Sequence, residues 1–197
     1  MKTILKNLSL LMAILISLCS CVFEDIWVNP ISDVQDAKID NRLIGTWSFI
    51  TDPGIAAVHI FEIDQHSVYL LLLDQPPCPA YFVGHMSEVD GRTFLNLRAL
   101  DCSTKELSKY VIFEYEFNDE NELNFYDFSY AFVKQAIQNK RLSGNFEENM
   151  VVTATSLEIR EFIKNSPKEK LFRRDNPLIS KRFERPKAIK KSLCILF

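Results

Sequence analysis

The sequence has little glycine, with five residues among 197. Loops that wrap a phosphate need several glycines at short spacing, so a nucleotide-binding loop is excluded, and the Gly-x-Ser-x-Gly and His-Glu-x-x-His motifs are also absent. Histidine is scarce as well, and His59, His66 and His85 lack the close spacing that brings metal ligands together. We therefore expect no enzyme, no cofactor and no metal site. A hydrolase whose catalytic residues converge only in the folded protein is the alternative.

The sequence also lacks a strong excess of one charge, since the net charge is −3. This average hides an asymmetry: residues 21–163 carry 10 basic and 23 acidic side chains, whereas residues 164–191 carry 11 basic and 3 acidic ones. The basic segment is predicted to be a solvated tail that folds partly back on the acidic body, or an arm that binds anionic lipid. No recognised motif points to nucleic acid.

Long hydrophobic runs are absent except at the N-terminus, where residues 8–18 carry no charge and follow Lys2 and Lys6. Eleven helical residues would span about 16 Å, which is too short to cross a bilayer core of about 30 Å. The segment is typical of a secretory signal peptide, which is removed in the mature protein.

The end of this segment, Leu18-Cys19-Ser20-Cys21, resembles the lipobox of bacterial lipoproteins. The resemblance implies that residues 1–20 are removed and that Cys21 carries a diacylglycerol and acyl chains such as palmitate, which anchor the protein in a membrane. Cys19 is the rival position, and an ordinary signal peptide with an incidental cysteine is the alternative. Because Val22 stands where an Asp would retain a lipoprotein at the inner membrane, the family pattern implies the periplasmic face of the outer membrane in a Gram-negative host.

Two of the remaining cysteines flank a predicted hairpin. Cys78 and Cys102 lie on either side of two strand-like runs joined by Asp90-Gly91, a strong turn dipeptide. In a hairpin, the residue numbers of two directly opposed residues have a constant sum. A two-residue loop makes this index sum 181, whereas a three-residue loop makes it 180, which is the sum that places the two cysteines opposite each other. An exported protein meets an oxidising compartment, so we expect a Cys78–Cys102 disulfide, with two free buried thiols as the alternative.

The body of the chain is predicted to be mainly β. Short strand-like segments follow one another at 43–50, 57–63, 66–73, 80–88, 92–99, 110–117 and 122–128. This spacing predicts an antiparallel meander that forms a barrel or a strongly curved sheet. Two late helices are expected, one over 129–142 with Gly144 as its cap and one that begins with a capping box at Thr155, so α+β is the alternative description.

The first strand carries a second family resemblance. Gly45-Thr46-Trp47 is similar to the entry motif of lipocalins and related calycin barrels, in which the tryptophan closes one end of the barrel. The resemblance implies that Gly45 allows close backbone packing and that Trp47 plugs the barrel. Arg182 is the candidate for the arginine that packs on this tryptophan in lipocalins.

These observations divide the chain into four parts: signal peptide 1–20, lipidated N-terminus and linker 21–41, β-rich domain with two helices 42–165, and basic segment 166–197. We expect a membrane-anchored binding or envelope-interaction module without catalytic activity, with an apolar small molecule as the ligand of the barrel. A structural or assembly partner of an envelope protein is the alternative.

Overall fold

The computed structural model describes residues 25–51, 54–73, 81–100, 106–146, 150–174 and 178–182. Within these residues the strands are β1 (Asp25–Trp27), β2 (Gly45–Thr51), β3 (Gly54–Glu62), β4 (Val68–Leu73), β5 (Tyr81–Val89), β6 (Arg92–Leu100), β7 (Glu106–Phe117), β8 (Leu123–Asp127), β9 (Gly144–Asn145), β10 (Met150–Val152) and β11 (Leu178–Arg182). The helices are α1 (Tyr130–Gln138), α2 (Ser156–Lys164) and α3 (Lys168–Leu171), and Val34–Asp36 form a 3-10 turn.

Strands β2 to β8 and β11 form a closed antiparallel barrel of eight strands. Strands β2 to β8 pair in chain order, and β11 closes the barrel by lying between β8 and β2. The predicted mainly β fold with two late helices is confirmed.

The hairpin between β5 and β6 pairs Val89 with Arg92 through the two-residue loop Asp90-Gly91. Both loop residues have positive φ, 54° and 69°, as the favoured two-residue hairpin turn requires. The index sum of the ladder is therefore 181. The prediction of a three-residue loop, which would place Cys78 directly opposite Cys102, is wrong.

The inward faces of the strands form a first hydrophobic core inside the barrel. Strand β7 shows why: its alternation places Phe113, Tyr115 and Phe117 inward, whereas Glu114 and Glu116 point outward. The buried members of this core are Leu43, Trp47, Val58, Ile60, Val68, Leu70, Phe82, Met86, Leu95, Leu97, Tyr115, Leu123 and Phe125.

A second core lies outside the barrel, between its outer surface and the helices. Phe94, Ile112 and Tyr126, on the outer face of β6 to β8, pack with buried side chains of α1 and α2. On α1 these are Val133, Ala136 and Ile137, and on α2 they are Ile159, Phe162 and Ile163. The helices thus cover one side of the barrel.

Residues 25–41, expected to be a linker, are instead part of the fold. Strand β1 pairs in parallel with β10 and, at Trp27, with Tyr110 of β7. The side chains of Trp27 and Ile31 are fully buried in the second core. Because the segment contains many polar residues, the burial of these two side chains was not predicted from the sequence.

The helix ends differ in how well they were predicted. Helix α2 has the expected capping box, in which the Thr155 side chain accepts from the Glu158 amide and the Glu158 side chain accepts from the Thr155 amide. Helix α1 ends earlier than expected, at Gln138 with Asn139 as its C-cap, because Lys140 takes the left-handed conformation (φ 56°) that terminates a helix. Gly144 is therefore not its cap but the first residue of β9.

The basic segment also contributes to the fold. Residues 178–182, expected to belong to a solvated tail, form the strand that closes the barrel. Lys181 forms an ion pair with Glu122 at 2.8 Å, so the fold joins the basic segment to the acidic body.

Candidate functional site

Trp47 is buried at the barrel end where β2 begins. Its side chain is 1% exposed, and the indole Nε1 donates to the Leu43 carbonyl at 2.8 Å. Arg182 lies over the ring, with its guanidinium carbon 5.5 Å from the ring centroid, and its Nη2 donates to the Ile44 carbonyl at 2.7 Å. Gly45 has a φ of +145°, and a Cβ at this position would lie 3.3 Å from Arg182 Nη2. The structure therefore brings together the three residues of the predicted plug.

Polar groups surround this end of the barrel. Arg42 binds Asp40 with two hydrogen bonds, of 2.9 and 2.7 Å, and lies 4.6 Å above the Phe117 ring. Burial would raise the pKa of Asp40, but the hydrogen bonds and charge of Arg42 outweigh it and hold the pKa below its usual value. The buried Tyr115 hydroxyl donates to Asp40 at 3.5 Å, and burial raises the pKa of Tyr115.

Two clefts lie beside the chain segment 29–40, and the first also reaches Met86 and Tyr115 of the barrel interior. The first, of about 720 Å³, lies between this segment, the β5–β6 hairpin and the start of α2, and its lining includes Ile39, Met86, Glu88 and Arg160. The second, of about 510 Å³, lies over the outer face of β5 to β7 and is lined by His85, Arg98 and Tyr110. Asp33 and Ser156 line both clefts.

His85 forms part of the wall of the second cleft and is 4% exposed. Its Nε2 lies 2.9 Å from the Ser32 carbonyl oxygen, which can only accept, so Nε2 carries the proton. Burial lowers the pKa of His85, and the charge of Arg98 adds to this effect, while the bond to Ser32 and the charge of Asp33 oppose it. At neutral pH the ring is therefore uncharged, and Nδ1 is an acceptor.

Asn96 holds segment 29–40 against the barrel. Its side-chain amide donates to the His85 carbonyl at 3.1 Å and to Ser87 Oγ at 2.8 Å. Its Oδ1 accepts from the Ile31 amide at 2.9 Å. This fully buried amide fixes the position of the segment over the wall of the second cleft.

A carboxylate pair that the sequence spacing did not reveal lies on the outer face of β7. Glu114, which is 2% exposed, forms an ion pair with Arg174, and Glu116 lies 3.4 Å from both Arg174 and Lys168. Burial raises the pKa of Glu114, against the opposing charges of Arg174 and Lys168.

The Tyr126 hydroxyl completes this group by donating to Glu116 at 2.6 Å. Burial and this bond raise the pKa of Tyr126 to about 12. Because Glu116 accepts from Tyr126 and both carboxylates have cationic partners, the group joins the basic segment to the barrel.

The three histidines lie apart, as the sequence indicates. His59 Nδ1 lies 2.7 Å from Thr46 Oγ1, and His66 Nδ1 lies 2.8 Å from the Ala37 carbonyl oxygen. Within the described ranges, no group of three or more His, Cys, Asp or Glu side chains could hold a metal ion. In the same part of the chain, no helix has the length and apolar character to span a membrane.

The predicted lipidation and disulfide residues Cys21, Cys78 and Cys102 lie outside the described residues. Strands β5 and β6 bring the chain toward the two segments that contain Cys78 and Cys102, and the last described pair is Tyr81 opposite Leu100. The disulfide stays a prediction.

No family model matches this chain, and no curated protein or solved structure matches it. The closed antiparallel barrel of eight strands is compatible with a lipocalin-like barrel.

Proposed function

We propose that this protein is a non-catalytic binding module of the bacterial cell envelope, anchored to a membrane by acyl chains on Cys21. The lipobox-like sequence Leu18-Cys19-Ser20-Cys21, the preceding short apolar run and Lys2 and Lys6 support the anchor. Val22 in place of an Asp supports the periplasmic face of the outer membrane.

The observation that carries this proposal is the short distance between the anchor and the folded domain. Asp25 begins β1 four residues after Cys21, so their Cα atoms are separated by at most about 14 Å. The following segment is held by the buried Trp27 and Ile31 and passes beside both clefts. Acylation of Cys21 would therefore hold the domain and its clefts close to the membrane surface.

The barrel interior is the place for an apolar small ligand. Barrels of eight strands are either filled by side chains or hold one small ligand. At one end the buried Trp47 and the partly buried Phe117 occupy the interior, whereas Phe49, Leu72, Ala99 and Phe113, which are partly buried, line it toward the other end. A ligand would enter the barrel from this second end.

A protein partner is the second candidate, because an aromatic row lies on the outer face of β3 to β5. The ring centroids of Phe61 and Tyr69 are 5.0 Å apart, and those of Tyr69 and Tyr81 are 5.9 Å apart. Phe61 is 38% exposed, and the nearby Ile63 is 50% exposed. Exposed apolar side chains grouped in this way are typical of a protein contact surface.

The test is native purification of the full chain from membranes, followed by mass spectrometry of the molecules that co-purify. We expect an apolar molecule in stoichiometric amount, and we expect Ala99→Phe to reduce it by narrowing the second end of the barrel. Ala57→Phe is the matched control, because Ala57 lies on the outer face of β3. Recovery of only those lipids that a protein-free detergent extract contains would contradict ligand binding in the barrel. Co-purification of one envelope protein, lost with Phe61→Ser, would favour the second candidate.

A further inference from the structure

The first cleft carries more acidic than basic side chains. Four carboxylates and two cations line it: Asp33, Asp36, Asp40, Glu88, Lys38 and Arg160. Among the described residues, only Asp40 of these six has an ion-pair partner, which is Arg42. Even with the charge of Asp40 compensated by Arg42, three carboxylates face two cations in the lining. The cleft therefore favours a cationic ligand over an anionic one.

The same cleft has an apolar part. Ile39 and Met86 line it, and at Met86 and Tyr115 it reaches the barrel interior. Leu157, in the first turn of α2, also lines the cleft and is 70% exposed, the largest exposed fraction of any large apolar side chain in the described ranges. A ligand that carries both positive charge and apolar groups would satisfy both parts of the lining.

The chain itself has a segment of this character. Residues 183–197 follow β11 and lie outside the described residues. They contain four basic side chains and one acidic side chain, and all four basic residues precede the apolar residues of the run 193–197. The segment therefore matches the cleft in charge and in apolar character.

Strand β11 ends at the same end of the barrel as the first cleft. Arg182, its last residue, donates to the Ile44 carbonyl at 2.7 Å. The turn before Ile44, in which the Leu43 amide donates to the Asp40 carbonyl at 2.9 Å, brings the chain to Asp40 in the cleft lining. Fifteen extended residues span up to about 50 Å, so the length of residues 183–197 does not limit their access to the cleft. A segment tethered at short range also has a millimolar effective concentration, so weak contacts are sufficient to hold it.

We propose that the first cleft binds residues 183–197 of the same chain, with their basic side chains toward the carboxylates and the apolar run 193–197 against Met86 and Leu157. This contact attaches the basic segment to the acidic body a second time, after the ion pair of Lys181 with Glu122. It also covers the cleft where the cleft reaches the barrel interior. The contact is independent of the membrane anchor and of a ligand in the barrel.

The methionines make the position of this segment measurable. Met1 and Met12 lie in the predicted signal peptide, Met86 lines the cleft, and Met150 is buried in the second core. The full chain is purified in an uncharged detergent with ¹³C-methyl methionine, and a nitroxide is attached to Cys194. We expect the nitroxide to broaden the Met86 methyl signal more strongly than the Met150 signal. Raising the salt concentration to about 1 M, where the Debye length is about 3 Å, should reduce this difference.

Two controls identify the source of the broadening. Cys194→Ser, treated with nitroxide in the same way, reports any broadening that comes from another labelled cysteine. A mixture of ¹³C-labelled chains without nitroxide and nitroxide-labelled chains without ¹³C reports contacts between two copies. We expect neither sample to show selective broadening of Met86. Selective broadening in the mixture as strong as in the doubly labelled chain would overturn a contact within one chain.

The variants separate a local contact from an effect of overall charge. We expect Glu88→Lys to lower the ratio of bound to free segment about fivefold, which corresponds to about 1 kcal/mol, the upper end for an exposed ion pair. Glu62→Lys is the matched control, because Glu62 is exposed on β3, does not line the cleft and undergoes the same change of charge. Leu157→Ser should also weaken the contact, since it removes an exposed apolar side chain from the lining.

Three results would overturn the proposal. One is equal broadening, or no broadening, of the Met86 and Met150 signals. Another is an equal effect of Glu88→Lys and Glu62→Lys on the Met86 signal. The third is a chain without Met86 broadening whose nitroxide is immobilised by phosphatidylglycerol vesicles, since this result would show an arm that binds anionic lipid.

Discussion

The guanidinium of Arg182, in the last strand of the barrel, lies over the indole ring of Trp47, in the first. The two residues are also direct neighbours in the ladder between β11 and β2, so the contact is made where the barrel closes. Gly45 completes the arrangement, since its backbone passes close to the Arg182 side chain. This single cation–aromatic contact thus covers the Trp47 ring and joins the first and last strands of the barrel.

Gly45→Ala should destabilise the fold by about 1–3 kcal/mol, because its φ of +145° is strained for any other residue and the new Cβ would press against Arg182. In an Arg182→Ala background the contact is gone and only the backbone strain remains, so the loss should be smaller. Denaturant unfolding of the four proteins measures both effects. Gly91→Ala is the control for backbone strain, because a Cβ there would meet nothing within 4 Å. An equal loss at Gly45 in both backgrounds would show that Arg182 does not restrict this position.

Arg174→Met should lower the free energy of unfolding by an amount near the lower end of the range of about 3–5 kcal/mol. The substitution leaves Glu114 buried without its main partner, while Lys168 remains 3.8 Å away. Glu114→Gln in the same protein should recover part of this loss by removing the unpaired charge. Chemical denaturation at pH 7 measures each variant. Lys164→Met is the matched control, since its pair with Glu161 is exposed and should contribute about 1 kcal/mol or less. A similar loss for the two cation variants would contradict the assignment of a buried ion pair.

Stability should fall on mild acidification through His85. Its pKa in the folded protein lies below the ordinary value of 6.5, so the unfolded chain binds the proton more readily. The contribution of neutral His85 is therefore fully present above about pH 6.5 and is lost as the pH falls. Protonation would place a buried charge next to Arg98, with Asp33 as the opposing carboxylate and the Tyr110 ring in edge contact.

Unfolding midpoints of the wild type and His85→Gln between pH 8 and pH 5 measure this effect. The wild type should lose more stability over this range than the variant, since the other titrating groups are common to both. Parallel pH profiles would contradict a buried neutral His85.

The parts of the fold that sequence patterns predict well are those with local signals. The alternation of β7 and the capping box of α2 depend on residues a few positions apart, and both are observed. Strand β11 gives no such signal, because the polar Ser180 is its only buried residue and the apolar Leu178 and Ile179 are exposed. Its place in the barrel depends on pairing with β2 and β8, which are distant in sequence.

The buried polar residues beneath segment 29–40 could not be predicted for a related reason. His85, Ser87 and Asn96 alternate with apolar residues, and such positions normally face solvent. They are buried because segment 29–40 covers them, and this segment is held by the fully buried Ile31, whose amide donates to Asn96. The short motif at Gly45 and Trp47, by contrast, pointed to the packing of Trp47 and Arg182 at one end of the barrel.

The cysteines provide a chemical test of the predicted disulfide. In the mature chain we expect Cys21 to be acylated and Cys78 and Cys102 to be paired, which leaves Cys194 as the one thiol that reacts in unfolded, unreduced protein. Mass spectrometry after alkylation counts the labelled cysteines, and prior reduction should raise the count from one to three. Labelling of Cys78 and Cys102 without reduction would exclude the disulfide.

The most direct test of the central claim compares Cys21→Ala with Cys19→Ala, two substitutions in the same short motif. Both full-length proteins are expressed in a bacterium with two membranes, the membranes are separated, and the N-terminal peptide is identified by mass spectrometry. The account predicts that Cys19→Ala remains in the outer membrane with a diacylglyceryl group on Cys21, whereas Cys21→Ala loses the lipid and outer-membrane association. A Cys21→Ala protein that still carries a lipid and fractionates with the outer membrane would contradict it.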